Sequence, residues 1–219
     1  MKYYKLQPSW SEKVIGQYPQ VKNIEYKCDV WNEPKFIEHQ EFKKINFSPI
    51  TANAILNKTA KITDLINVTG MGFTRKLLLS GKLKLIIESF RKDGIQFFES
   101  SVFKEDKIYN EYWVMHIFEI NFDSIDFSNT NFYLKNYFDT INRLYIKNLE
   151  EFLYQKNKID KIGYPINLFI DNVHIIDEYT HHFFALSNVE NGINYIVSDL
   201  LKDEIEINNC TGIEFTPLK

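Results

Sequence analysis

The chain has 219 residues and a formal net charge of −3, enough material for a sizeable core but without the basic excess that a nucleic-acid partner requires. Its two cysteines, Cys28 and Cys210, lie far apart without CxxC spacing, which points to neither a disulfide framework nor a zinc knuckle. No apolar run approaches the length of a membrane span and the opening MKYYKLQPSW has no signal core, so the expected setting is the cytoplasm, with no membrane partner.

Phe and Tyr are abundant, at 18 and 13, which favours a sheet-rich fold with large side chains packed on it. Their excess runs alongside Ile, Asn and Lys while arginine falls to Arg75, Arg91 and Arg143, the pattern that nucleotide bias leaves. Met1–Leu6 alternates as a first strand, and residues 7–46, with Pro8, Pro19 and Pro34, read as loop with one short strand near Val21–Tyr26. Ile45–Phe47 reads as a strand that Pro49 ends, Ile62–Val68 as another, followed by a Gly70-Met71-Gly72 turn. Ser80 is placed to cap a helix. Leu83, Ile86, Ile87 and Phe90 fall on one helical face, and Gly94 sits where a left-handed residue would close the helix. Ile95–Phe103 then resumes as a strand, the charged turn Lys104–Lys107 follows, and Tyr112–Ile120 reads as a central strand.

Asn131–Leu134 reads as a strand, Ile141–Ile146 fits helix or strand, and Asn148 caps a helix through Lys156 that buries Leu149, Phe152 and Leu153. The carboxyl-terminal part predicts a strand at Phe183–Leu186, an Asn191-Gly192 turn, a strand at Asn194–Val197 and a Ser198-capped helix. Gly212 and a last strand, Ile213–Thr216, complete it. This part repeats an earlier one. Ser80–Phe97 and Ser198–Phe215 align without a gap and agree at eight of eighteen positions, where about one match is expected from composition. In the second helix Glu204 and Asn208 replace Ile86 and Phe90, which narrows the apolar face to Leu200, Leu201 and Ile205. The expected fold class is α+β, a mixed, largely antiparallel sheet with a few helices, built around a duplicated strand-helix-strand unit. It is expected to form a single composite domain over residues 1–219 with pseudo-repeats near residues 62–103 and 180–216.

Catalytic motifs are absent: the sequence holds no GxSxG, P-loop, GxGxxG or HExxH. Ser80 and Ser198 recur as hydroxyls, but capping accounts for both without an activating base. Asp123/Asp126 and Asp203/Glu204 are carboxylate pairs with nothing to fix a reactive geometry around them. The one local cluster with ligand chemistry is Asp171, His174 and Asp177-Glu178-Tyr179-Thr180-His181-His182. Read as a site, residues 171–182 would serve a hydrolase or a metal-dependent enzyme, although adjacent His181 and His182 at a strand start point to opposite faces. A small-ligand scaffold with its groove between the repeat copies is a further alternative. Acidic residues gather around Glu99, and the candidate partner-binding residues are Glu105, Asp106 and Glu111 with Asp199, Asp203, Glu204 and Glu206, placed to steer a basic partner.

The segment HHFFALSNVENGINYIVSDLLKDEIEINNCTGIEF resembles the signature end of immunity protein family eleven of bacterial polymorphic-toxin systems, formerly a domain of unknown function. The features that carry it are Phe183, Phe184 and Leu186, Tyr195-Ile196-Val197-Ser198 leading to Leu201-Lys202, and Thr211-Gly212-Ile213-Glu214-Phe215. It extends over Leu79–Leu83, Gln96-Phe97-Phe98, Tyr112–His116 up to Ile125-Asp126, and MKYYKL. Ala185 follows Phe184 where that family often carries an arginine, so no role for such an arginine carries over. The resemblance implies a non-enzymatic protein, without cofactor or metal, that binds and neutralises a cognate toxin; it leaves the toxin's identity and homodimer formation open.

Overall fold

The computed structural model describes residues 1–69, 76–137, 139–190 and 192–218; the expected Gly70-Met71-Gly72 turn and Asn191 of the expected Asn191-Gly192 turn lie outside the described residues. The repeated serines set the local geometry. Ser80 and Ser198 keep extended backbone and accept the N–H of Leu83 and Leu201, each at 3.2 Å, so they cap α2 (Gly81–Phe90) and α4 (Asp199–Ile207). The Ser80 hydroxyl donates to Asp64 Oδ1 at 2.7 Å, and the Ser198 hydroxyl lies 3.0 Å from His182 Nδ1. Ser80 N–H donates to the Asp64 carbonyl at 2.7 Å and Ser198 N–H to that of His182 at 2.8 Å.

These helices join strands of two sheets. One sheet has the order β4 (Leu65–Ile66), β5 (Leu77–Ser80), β9 (Tyr112–Ile117), β6 (Ile95–Glu99). The other has the order β11 (Asp139–Leu144), β10 (Asn131–Asn136), β12 (Ile166–Asp171), β13 (Phe183–Val189), β14 (Gly192–Ser198), β1 (Tyr3–Pro8), β15 (Ile213–Pro217). Their pairing registers coincide around the repeated segments. Leu65 opposes Leu79 as Phe183 opposes Val197, Ser80 opposes Tyr112 as Ser198 opposes Tyr3, and Phe97 opposes Met115 as Phe215 opposes Leu6. A smaller sheet, β2 (Val21–Glu25), β3 (Asn53–Leu56), β7 (Val102–Lys104) and β8 (Lys107–Tyr109), completes an α+β fold in which most pairings are antiparallel.

Three apolar clusters hold these layers. In the first, Leu79, Met115 and Ile95 of one sheet and Leu6, Phe183 and Val197 of the other meet Leu83 and Ile87 of α2 and Leu201 and Ile205 of α4. The second joins the opposite face of the four-stranded sheet (Ile66, Leu78, Val114) to the small sheet and to Phe36, Ile37 and Ile45. The third joins the opposite face of the large sheet (Phe132, Phe184, Ile196) to Phe152 and Ile159 of α3 (Leu149–Ile162), a helix capped by Asn148 Oδ1 at 2.9 Å from Glu151 N. Arg91, buried just past α2, ties the two sheets together. It donates to the Phe183 carbonyl at 3.1 Å, to Asn121 Oδ1 at 3.0 Å and to the Asp93 carbonyl at 2.6 Å, and pairs with Glu119 at 3.3 Å.

Several expectations are corrected. Ile45–Phe47 is not a strand; the carboxamide of Gln96 accepts Ile45 N–H and donates to Ile45 C=O, both at 2.8 Å, doing the work of a neighbouring strand. The run Ile95–Phe103 divides at Ser100-Ser101 into β6 and β7, which belong to different sheets. Helix α2 ends at Phe90, before Gly94, and Gly94 (φ 80°) instead forms the turn into β6, where a Cβ would meet the Arg91 guanidinium. Leu200 is 55% exposed, so α4 buries only Leu201 and Ile205. In α3, Leu153 faces solvent and Ile159 takes the buried position. The ambiguous Ile141–Ile146 forms a strand over Asp139–Leu144, and α1 (Glu12–Ile15), β3 and β12 arise where no element was expected.

Replacing Leu201 with Ala is expected to cost about 3 kcal/mol in denaturant unfolding, whereas Leu200→Ala stays within about 0.5 kcal/mol of the parent; equal effects would contradict the packing of α4. A second expectation concerns pH. Burial holds the pKa of His116 below its ordinary 6.5, aided by the charge of Lys76 and opposed by the bond from its ring to the Lys43 carbonyl (2.8 Å). The unfolded chain then takes up the proton first, so this stabilisation is complete above pH 6.5 and is lost as pH falls towards the depressed folded value. His116→Gln is expected to flatten that part of the stability–pH curve.

Candidate interaction surfaces

Helix α4 carries Asp199, Asp203, Glu204 and Glu206 at its surface, yet these carboxylates are not bare. Lys202 Nζ reaches Glu206 at 2.7 Å and Asp203 at 3.8 Å, Glu204 accepts from Asn208 at 2.8 Å, and Asp199 Oδ1 accepts from Leu200 N–H at 3.1 Å. Exposed Leu200 and Ile207 share the helix, so its outer surface mixes apolar and acidic groups. Glu105 (φ 51°) and Asp106 form the tip of the β7–β8 hairpin, while Glu111 lies beyond the opposite end of β8 and lends its carbonyl to Gly81 N–H at 2.7 Å. The structure thus gathers the four acids of α4 on one helix and puts the other three on and beside the small sheet.

The imidazoles of the 171–182 segment do not converge. His174 Nε2 lies 3.1 Å from Asn172 Nδ2, His181 stacks on Tyr179, and His182 meets Ser198 Oγ and the edge of Phe90. His181 and His182 therefore serve opposite faces of the large sheet, as their adjacency predicts. Among the described residues no group of three or more His, Cys, Asp or Glu is placed to hold a metal ion. Cys28 and Cys210 are unpaired, and burial, with Asp64 nearby, pushes the Cys210 thiol up to about 11.

Two surfaces emerge that the sequence did not single out. Beside α2 and β6 runs an open groove of about 580 Å³ whose lining includes Lys84, Lys92, Phe97 and Trp113. Lys84 Nζ sits 5.2 Å from the Phe97 ring and 4.8 Å from that of Trp113, held by Glu88 at 2.6 Å. The same construction recurs on α4, where Lys202, held by Glu206, lies over Tyr4 and Phe215. The second surface is β11, which has exposed residues along most of its length, with Tyr137 and Tyr164 in edge contact at 5.1 Å nearby. The repeated Lys, Glu and Phe at matching positions were a signal for the first surface; nothing but an undecided periodicity marked the second. Among the described residues no helix is long and apolar enough to cross a membrane.

Because the three histidines have separate partners, a tenfold excess of zinc is expected to leave the thermal midpoint unchanged; a clear rise would contradict that separation.

No match was found among curated proteins. A family model does match: the one described as Immunity protein family (Imm11) aligns with residues 2–219. Spanning almost every residue from β1 to β15, that match shows that this chain belongs to the Imm11 immunity protein family.

Proposed function

We propose that the protein binds a cognate bacterial toxin, encoded within a polymorphic-toxin system, and neutralises it in the cytoplasm by direct contact, without catalysing a reaction of its own. The observation that carries this reading is the family match over residues 2–219, since members of an immunity family protect the cell from a toxin. The surface supports it. Tight protein–protein interfaces draw their affinity from a few aromatic and charged anchors, and this chain exposes Trp31, Tyr145 and Tyr164 as well as the acidic groups of α4 and the β7–β8 hairpin. Charges of that kind act mainly on the rate of encounter, so the acidic residues are assigned to steering a basic toxin surface.

The test is co-expression with the toxin encoded beside the gene. The chain is expected to restore growth and to form a stable complex with the purified toxin; a toxin that kills despite abundant folded protein would refute the reading. Within that complex, Glu105→Lys with Asp106→Lys, and separately Asp203→Lys with Glu204→Lys, are each expected to slow association by about tenfold at low salt and by much less at high salt. Unchanged association rates with both pairs would remove the acidic residues from the interface and leave toxin binding itself untouched.

A further inference from the structure

The register of β6 shows which of its backbone groups are spent. Ser100 N–H donates to the Tyr112 carbonyl at 3.0 Å, and Phe118 N–H donates to the Gly94 carbonyl at 2.9 Å. With Gln96 opposite His116 and Phe98 opposite Val114, alternation along an antiparallel ladder turns the N–H and C=O of Gln96 and Phe98 inward to β9. Those of Ile95, Phe97 and Glu99 point outward, where no further strand of the described residues lies beside β6. Thr51 Oγ1 takes the Glu99 carbonyl at 2.7 Å. Ile95 and Phe97 are left with outward backbone groups that have no partner among the described residues. Along this edge lies the 580 Å³ groove beside α2.

An open strand edge of this kind is a template for another strand. We propose that an extended segment of the toxin adds to β6 in this groove, pairing its main chain with Ile95 and Phe97; this rests on the toxin-binding reading above. The charges on the edge state what the segment carries. Lys84 is already neutralised by Glu88, but Lys92 forms no ion pair among the described residues and stands in the turn three residues before β6 begins, while exposed Glu99 stands where it ends. The two ends lie about 13 Å apart along the strand. The segment that fits has a carboxylate at the Lys92 end, a cation at the Glu99 end and an apolar side chain between them, laid against Phe97 and Trp113. The matching edge on β15 closes sooner, because Pro217 there offers no N–H.

Residue-resolved hydrogen exchange tests this with the toxin captured by the tagged chain from its producing strain and then purified. In the free protein the Gln96 and Phe98 amides are expected to be protected and those of Ile95 and Phe97 to exchange quickly; saturating toxin slows the latter two by at least about tenfold. Lys92→Glu, at an exposed position, is expected to weaken the complex by about tenfold without lowering stability. A complex that forms while Ile95 and Phe97 exchange as before overturns the edge and leaves toxin binding standing. Failure to form any complex overturns both. Slowing that appears on concentrating the protein alone assigns the edge to a second copy of this chain and likewise overturns the proposal.

Discussion

Both large sheets depend on one apolar interior, filled from the middle by α2 and α4. Each helix is short, 10 and 9 residues, and helices of that length are marginal on their own. What holds them is burial of Leu83 and Ile87, and of Leu201 and Ile205, against strands of both sheets, with a serine cap starting each helix and a left-handed glycine at each return to the sheet. The polar links across this interior follow from the same constraint. Asp64 accepts from Ser80 on its own sheet and from Thr211 N–H, at 2.8 Å, ahead of β15 in the other. Arg91 answers it by reaching Phe183 from the end of α2. Polar groups drawn out of water survive only where they are satisfied, and here buried Arg91 and half-buried Asp64 are satisfied in part by joining the sheets.

With one face of each sheet committed to that interior, the opposite faces need separate covers, and the covers differ. The four-stranded sheet is closed by a second sheet and by a loop that uses Gln96 as a substitute neighbour. The large sheet is closed by α3 and by the Phe122–Phe127 region, where Phe122, Phe127, Phe132 and Phe152 pack ring against ring. Helix positions that face away from the shared interior are released from packing, which is why lysines there settle over aromatic rings of β6, β9, β1 and β15 rather than in the core.

The parts legible in the sequence were those where local chemistry and burial agree. Ser80, Ser198 and Asn148 were readable as caps because a cap needs only its own hydroxyl or amide and the next turn. Periodicity found the buried face of α2. It misled on Leu200, since in a nine-residue helix a leucine beside the seam looks like one within it. Strands β3 and β12 escaped because their identity comes from partners distant in sequence: Ala54 pairs with Val102, and Ile170 with both Phe132 and Val189. The groove beside β6 was unreadable for the same reason. An open edge is a property of what fails to lie beside a strand, and no residue of that strand encodes it.

Strand β1 has a consequence for how the protein comes into being. It is translated long before both of its neighbours, β14 (Gly192–Ser198) and β15 (Ile213–Pro217). During translation it waits on the order of ten seconds or more for them at ordinary synthesis speeds, and long-range pairing of this kind folds slowly. The large sheet therefore closes only once β15 has been made. Termination or clipping before Gly192 would strip β1 of both neighbours, and a break between β14 and β15 would strip it of one; either leaves an unpaired edge on the strand that carries Tyr3 and Leu6. Under the proposed function, protection lags behind translation, and a cell that makes this chain ahead of the toxin gains the interval that the sheet needs to close.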